Sequence, residues 1–354
     1  MASSLARILR CVPCRCRRRL PALAVAACLG ASLGAPAAFA GDPIRVGMVG
    51  SSMASIPIVV ADAKGFFRDE GLDATIVPFQ ASEPIALAIG SGDIDFGTTG
   101  LSNPFFVLAN AGKITIIGGD SSDRPGFHSI GFVASSQAYA AGLKSTADLG
   151  GRSLGLTQLG SPLEYSLARV LAKHAIDLKS MRLIGLQSNA NVASALIGGQ
   201  IDSSVMSSAN LYAVVNRGAQ FIGWVDDEIT GTQVTGTVTP TKFANARPDA
   251  VRHFLAAFRK GAQAWDAAFI DANGNRADQP NAEEMIALMA KGLDQPADVI
   301  RRGINYDDPE ARVNVGALQQ MLDWYYQQGM QKTHLETKNM IDMRFAKLVP
   351  QAGG

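Results

Sequence analysis

LAIGSGDID, residues Leu87–Asp95, and SALIGGQID, residues Ser194–Asp202, share the pattern Ala-Ile/Leu-x-x-Gly-x-Ile-Asp, with Gly92 matching Gly199 and Asp95 matching Asp202. The reason for the pattern is local: glycine ends a helix at a position with positive φ, and the isoleucine then enters the next strand. A like-placed copy in each half of the chain predicts two lobes of similar design.

Outward from the first copy, short β-branched runs alternate with helical patterns. Ile44 to Val49 reads as a strand, Pro57 to Asp69 as a helix, Ala74 to Phe79 as a strand and Glu83 to Ser91 as a helix. Strand Ile94 to Gly97, helix Asn103 to Asn110 and strand Ile114 to Gly118 follow. The rhythm restarts near Ser129, with strands Ile130 to Ala134 and Ser153 to Leu156, helix Pro162 to His174, strand Arg182 to Leu186, helix Val192 to Gly198, and strands Ile201 to Val205 and Phe221 to Val225. Such alternation predicts an α/β fold with mainly parallel sheets covered by helices on both faces. Beyond a polar Gly/Thr stretch from Thr230 to Thr239, helical patterns dominate: Pro248 to Ala272, Ala282 to Leu293 and Val315 to Gln328. The expected division is 41–127 for the first part of lobe 1, 128–233 for lobe 2, and 234–354 for the helical return to lobe 1.

Residues 1–40 read as a secretory leader. Arg7, Arg10, Arg15, Arg17, Arg18 and Arg19 precede an apolar run from Leu20 to Leu33, then Ala38-Phe39-Ala40 marks a cleavage site. Val25-Ala26-Ala27-Cys28 resembles a lipobox, so lipoprotein anchoring at Cys28 is the alternative, and Arg18-Arg19 faintly suggests twin-arginine export. All four cysteines, Cys11, Cys14, Cys16 and Cys28, lie in this segment, so the mature chain has no thiol for a disulfide, a metal or a nucleophile. Removing those six arginines leaves 26 basic against 31 acidic residues, a net charge near −5. That balance argues against a nucleic-acid partner.

Three helix starts share one construction, a loop of small hydroxylated residues ahead of a proline. The loops are Gly50-Ser51-Ser52-Met53-Ala54-Ser55 before Pro57, Thr98-Thr99-Gly100-Leu101-Ser102-Asn103 before Pro104, and Thr157-Gln158-Leu159-Gly160-Ser161 before Pro162. Ser161 and Glu164 form a Ser-x-x-Glu capping box. In a parallel sheet such loops leave the carboxyl ends of strands, where the free N–H groups of helix starts favour an anion or another strong acceptor. Catalytic and metal motifs fare worse. His128, His174, His253 and His334 lack a second ligand at metal spacing, no cofactor motif occurs, and Asp226-Asp227-Glu228 reads as a solvated loop. Arg124 and His128 are candidates either to face the cleft or to form a solvent-facing hinge.

ADAKGFFRDEGL (Ala61 to Leu72), AIGSGDIDFGTTG (Ala88 to Gly100), the step Asp148 to Arg152, GSPLEYSLARVL (Gly160 to Leu171), ALIGGQID (Ala195 to Asp202) and the Arg247-Pro248-Asp249 helix start with Phe254 and Trp265 occur in that order. In this the chain resembles the nitrate/sulfonate/taurine type of ABC-transporter solute-binding proteins, relatives of thiamine-pyrimidine-precursor binders. The resemblance implies a type II periplasmic binding fold: two α/β lobes with a ligand cleft between them and two hinge crossings, near Asp120 to His128 and Thr230 to Gly236. It implies ligand contacts at Ser51, Ser52, Thr98, Thr99, Ser102, Gly160, Ser161, Met206 and Ser207, a monomer in the periplasm, and an inner-membrane permease with its ATPase as partner. The residues themselves give no reason to expect a cofactor or a metal. A small organic sulfonate or related acid is the preferred solute, with nitrate or a pyrimidine precursor as alternatives. Phe66, Phe67, Phe105, Phe127, Tyr165 and Tyr212 could supply a stacking wall. An enzyme on the same fold and a periplasmic sensor module are the rival readings, although the cysteine and histidine clusters of the pyrimidine-synthase relatives are missing.

Overall fold

Residues 41–50 and 52–350 are described by the computed structural model; the expected leader, Cys28 and Ser51 lie outside them. β1 (Asp42–Val49) leads through a 3-10 turn into α1 (Ile56–Ala63) and α2 (Phe66–Asp69), then β2 (Leu72–Phe79), α3 (Ser82–Ser91), β3 (Phe96–Gly100), α4 (Asn103–Asn110) and β4 (Ile114–Gly119). The helix expected over 57–69 is broken because Gly65 takes φ +78°. A first crossing carries the chain to β5 (Ile130–Ala134), α5 (Ser136–Ala140), β6 (Ser153–Leu156), α6 (Pro162–Lys173), β7 (Arg182–Gly185), α7 (Asn189–Ile197), β8 (Ser203–Ser207), α8 (Ser208–Val215) and β9 (Gln220–Trp224). A second crossing returns it to β10 (Thr235–Pro240), α9 (Thr241–Ala246) and the long α10 (Pro248–Phe269). The chain then forms α11 (Ala282–Leu293), α12 (Ala297–Arg302), β11 (Arg312–Val313), α13 (Val315–Gln327) and β12 (Lys347–Leu348).

The two large sheets have matching strand orders, β2-β1-β3-β10-β4 and β7-β6-β8-β5-β9. In each, the strand that has just crossed from the other lobe, β10 or β5, sits fourth and runs antiparallel to both neighbours. The expectation of mainly parallel sheets therefore needs one antiparallel strand per sheet. The polar stretch Thr230–Thr239 contains much of β10, which is buried along its length. Its threonines tolerate burial because their hydroxyls are bonded: Thr237 donates to the Gly119 carbonyl at 3.3 Å, and Thr239 to that of Asp95 at 2.7 Å.

The repeated sequence builds the same joint in both lobes. Gly92 and Gly199 take φ of +84° and +68°. Each isoleucine is buried against a glycine of the middle one of the lobe's three parallel strands: a Cβ on Gly47 of β1 would lie 2.4 Å from Ile94 Cδ1, and one on Gly155 of β6 would lie 2.5 Å from Ile201 Cδ1. Each aspartate then accepts a backbone N–H of that strand, Asp95 from Arg45 at 2.7 Å and Asp202 from Ser153 at 2.8 Å. The following strands begin at Phe96 and Ser203, two residues later than the isoleucines, which serve as plugs rather than as strand residues.

Helices cover both faces of each sheet. On one face of lobe 1, Phe254 of α10 stacks on Phe96 of β3 with centroids 4.0 Å apart and planes 2° apart, and on Phe67 of α2 at 5.7 Å. This stack ties the returning chain to the first sheet, and Phe254 is fully buried. Truncation of Phe254 to Ala removes that contact and leaves a void, so chemical denaturation of the purified protein is expected to show a loss of about 3–5 kcal/mol.

Candidate functional site

Because β1, β2 and β3 of one sheet and β6, β7 and β8 of the other each run into a helix, six helix starts are delivered to the carboxyl edges of the two sheets. The antiparallel strands β5 and β10 begin at those same edges. One cavity of about 110 Å³ lies there, walled by both lobes. Lobe 1 contributes Ser52 and Ala54 after β1, Ser82 after β2 and Ser102 after β3; lobe 2 contributes Thr157, Gln158 and Ser161 after β6, Asn189 after β7, Ser207 at the end of β8 and Asn210 on α8. Ser129 and Ile130 at the start of β5, Val234 and Thr235 at the start of β10, Ser121 and Asn305 also line it.

Serine hydroxyls cap several of these helices. Ser52 accepts from the Ala54 N–H at 3.2 Å, Ser102 from Phe105 at 3.4 Å and Ser161 from Glu164 at 3.3 Å. Each cap satisfies one of the four N–H groups that a helix start leaves open, so donors and the positive ends of helix dipoles remain to act on the cavity. No Asp, Glu, Lys, Arg or His is among its described wall residues. The site can thus hold an acceptor-rich or anionic solute without a cationic side chain.

Of the expected contact residues, the cavity wall brings together Ser52, Ser102, Ser161 and Ser207. Thr98, Thr99, Gly160 and Met206 lie elsewhere. Thr98 is buried within β3 opposite Thr237, Thr99 donates its hydroxyl to the Ser82 carbonyl at 3.0 Å, and Met206 packs in the lobe 2 core with Leu196 and Leu211. Alternation along a strand sends consecutive side chains to opposite faces, which a reading by proximity in sequence ignores. Gly160 instead joins the lobes, its carbonyl accepting the Asn103 N–H at 2.8 Å. Its φ is +72°, and a Cβ there would meet Asn103 Cβ at 3.3 Å. Glu164 accepts from the Gly160 N–H at 2.7 Å, one residue ahead of the N-cap, so only half of the expected capping box forms. A second inter-lobe contact joins the Ser208 hydroxyl to the Gly303 carbonyl at 3.1 Å.

Ser82, Asn189, Asn210, Thr235 and Asn305 escaped the sequence reading because no hydroxyl-rich loop ahead of a proline marks them. Taking every helix start that follows a strand, with or without a proline, reaches the first three. The aromatic wall is also absent: Phe67 and Phe105 are core, Phe127 packs on Tyr306, Tyr165 on Trp324 and Tyr212 on Trp224, and Phe66 packs against the lobe 1 core. Arg124 covers the Tyr306 ring at 4.5 Å and donates to the Gly274 carbonyl, while His128 stacks on Trp224 and pairs with Asp226 at 3.2 Å. Neither is in the cavity wall. Asp226 is buried and Glu228 bonds Lys173 and His174, so this acidic run is a clasp rather than a solvated loop.

The crossings, 120–129 and 225–234, are bonded to each other through Asp123 N–H to the Thr232 carbonyl at 2.9 Å and Val234 N–H to the Ser121 carbonyl at 3.3 Å. Buried acids surround this ribbon. Burial pushes Asp123 up to about 7 and Asp266, despite the nearby Arg124, up to about 7. Asp120 and Asp307, both fully buried, are both raised, chiefly by loss of water.

A family model described as NMT1/THI5 like matches residues 52–267. A Brucella abortus (strain 2308) protein described as a binding protein is 29% identical over 163 residues, 46% of this chain and 47% of that protein. The 4-amino-5-hydroxymethyl-2-methylpyrimidine phosphate synthase of Candida albicans (strain WO-1) is 28% identical over 152 residues, 42% of this chain and 41% of the synthase. The chain spans about half the length of the curated relatives it matches. The alkanesulfonate-binding protein SsuA from Xanthomonas axonopodis pv. citri, solved with MOPS, shares the fold at a TM-score of 0.69 and 20% identity, over 85% of this chain and 98% of that one. The expected periplasmic binding fold of two α/β lobes is the one present.

The buried acids give a pH dependence of definite sign. The folded pKa values of Asp120, Asp123 and Asp266 exceed the unfolded value of about 3.9, so the stability they contribute is complete below about pH 4 and is lost as pH rises through about 7. The melting temperature is expected to be higher at pH 5 than at pH 8. Asp123→Asn should flatten that difference and gain about 1–3 kcal/mol at pH 8, measured by thermal denaturation across the range.

Proposed function

The chain belongs to the NMT1/THI5-like family, and on that premise we propose that it is the periplasmic solute-binding component of an ABC importer, exported by a cleaved leader. It works as a monomer, captures a small anionic or polar solute and presents it to an inner-membrane permease with its ATPase. Lobe 1, formed by 41–127 and 234–354, and lobe 2, formed by 128–233, close on the solute about the paired crossings. Contacts unique to the closed form drive the closure. The observation that carries this reading is the cavity wall, in which helix starts from both sheets surround a space with no ionisable side chain among the described residues.

The size of the cavity narrows the solute. A cavity of about 150 Å³ accommodates benzene, so 110 Å³ suits a compact solute. A compact sulfonate or related acid fits, its oxygens taking N–H and O–H donors and its carbon part lying against Ala54, Ile130 and Val234. The name of the structural relative SsuA favours the same class. Ser52, Ser102, Ser161 and Ser207 are the proposed contacts from the sequence reading. The similarity to a pyrimidine phosphate synthase raises catalysis as a second reading. General acid–base or nucleophilic turnover would need a titratable group at the solute, and the described wall supplies none.

Thermal-shift and calorimetric titration of the mature protein against short sulfonates, carboxylates, nitrate and pyrimidines tests the proposal. A binder at 100 times its Kd adds about 2.7 kcal/mol to stability. Ala54→Trp should fill the cavity and abolish the shift while leaving the fold intact by circular dichroism. Absence of any shift across the panel would sink the reading, and consumption of a bound compound would revive the enzyme. Gly160→Val should hold the lobes apart, lowering affinity by about tenfold or more and enlarging the radius of gyration in X-ray scattering.

A further inference from the structure

Two amides in the cavity wall have unsatisfied atoms. Asn305 is 1% exposed, and its Oδ1 is buried without a hydrogen-bond partner; in Gln158, across the cavity in lobe 2, Nε2 is in the same position. A buried amide end left unbonded costs about 1–3 kcal/mol, so such atoms mark places where a partner from outside the chain belongs.

The orientation of Asn305 is set from behind. Its backbone carbonyl accepts the Trp265 indole N–H at 3.0 Å, which fixes the residue to α10. Its Nδ2 donates to Asp307 Oδ2 at 3.2 Å. Asp307 belongs to a carboxyl pair with Asp120, whose Oδ2 accepts the Thr235 hydroxyl at 2.9 Å. That leaves Oδ1 of both acids without a partner, and burial beside Asp120 favours a proton on Asp307. With the proton held there, Asp307 Oδ2 remains an acceptor, and the Asn305 amide must turn its NH₂ to Asp307 and keep its oxygen for the cavity.

We infer that Asn305 determines specificity: its Oδ1 requires a hydrogen-bond donor from the solute, while Gln158 Nε2 requires an acceptor, so the site selects a small solute carrying an N–H or O–H group besides its acceptor head and discriminates against a bare oxyanion. This rests on the solute-binding reading above and adds the donor requirement to it. A solute lacking the donor leaves Asn305 Oδ1 desolvated and unpaired, the situation in which polar sites reject analogues most strongly.

The test uses a matched pair, 2-hydroxyethanesulfonate and ethanesulfonate, which differ by one O–H donor. Calorimetry on the wild type is expected to show at least about tenfold tighter binding of the hydroxylated compound. Asn305→Leu should abolish that preference, whereas Gln158→Leu should weaken both compounds and keep it. Equal binding by the wild type, or a preference that survives in Asn305→Leu, overturns the inference. If neither sulfonate binds, the sulfonate reading fails, and a crystal structure of the ligand-free protein decides the donor requirement separately. An ordered water or other donor within hydrogen-bond distance of Asn305 Oδ1 supports it, and an Asn305 oxygen turned to Asp307 or enclosed by apolar atoms overturns it.

Discussion

A strand that hands over to a helix places the open N–H groups of that helix beyond the strand's carboxyl end, and strands that run parallel place them all at one edge. Two sheets built on the same order, meeting edge to edge, therefore surround a cavity with donors before any specialised side chain is added. The joint formed by Gly92, Ile94 and Asp95, and again by Gly199, Ile201 and Asp202, holds this arrangement in register. In each lobe it locks the helix before the third parallel strand onto the first strand of the lobe's parallel set in chain order, β1 or β6, through a glycine contact and a carboxylate-to-backbone hydrogen bond. The two crossing strands complete the edge, because running antiparallel makes them begin where the others end.

Charge is distributed by the same logic. The cavity wall is neutral among the described residues, so its attraction for an acceptor comes from backbone dipoles that need no counterion and no deprotonation. Ionisable groups instead gather behind it, where Asp120, Asp123, Asp266 and Asp307 are buried or largely buried around the paired crossings. Protonation of these acids supports the part of the molecule about which the lobes would move, and the cavity itself stays free of titrating side chains. The inter-lobe contacts at Asn103–Gly160 and Ser208–Gly303 show the lobes touching on this arrangement of backbone and small side chains.

Most of the fold was legible in the sequence because it rests on local signals. Glycine punctuation, helix spacing and β-branched runs identify the alternation, and the repeat identifies its duplication. β10 was not legible: Thr235, Thr237 and Thr239 fall in a polar Gly/Thr stretch, and only their long-range hydrogen bonds make burial acceptable. The parts of the cavity wall that lie next to helix-starting prolines were legible too, namely Ser52, Ser102 and Ser161. Asn305 was not, because it comes from the distant C-terminal return and its placement depends on Trp265 and Asp307. Likewise, pairing of His128 with Asp226, 98 residues away, leaves no trace in sequence spacing.

The central claim is that the solute is held by helix starts of both lobes rather than by charged side chains. A co-crystal structure with a bound short sulfonate tests it most directly. The account predicts sulfonate oxygens within hydrogen-bond distance of first-turn N–H groups and serine hydroxyls from both sheets, in the cavity lined by Ser52, Ser102, Ser161 and Ser207. A sulfonate bound instead at Arg124 or another surface cation, with that cavity left to solvent, would contradict it.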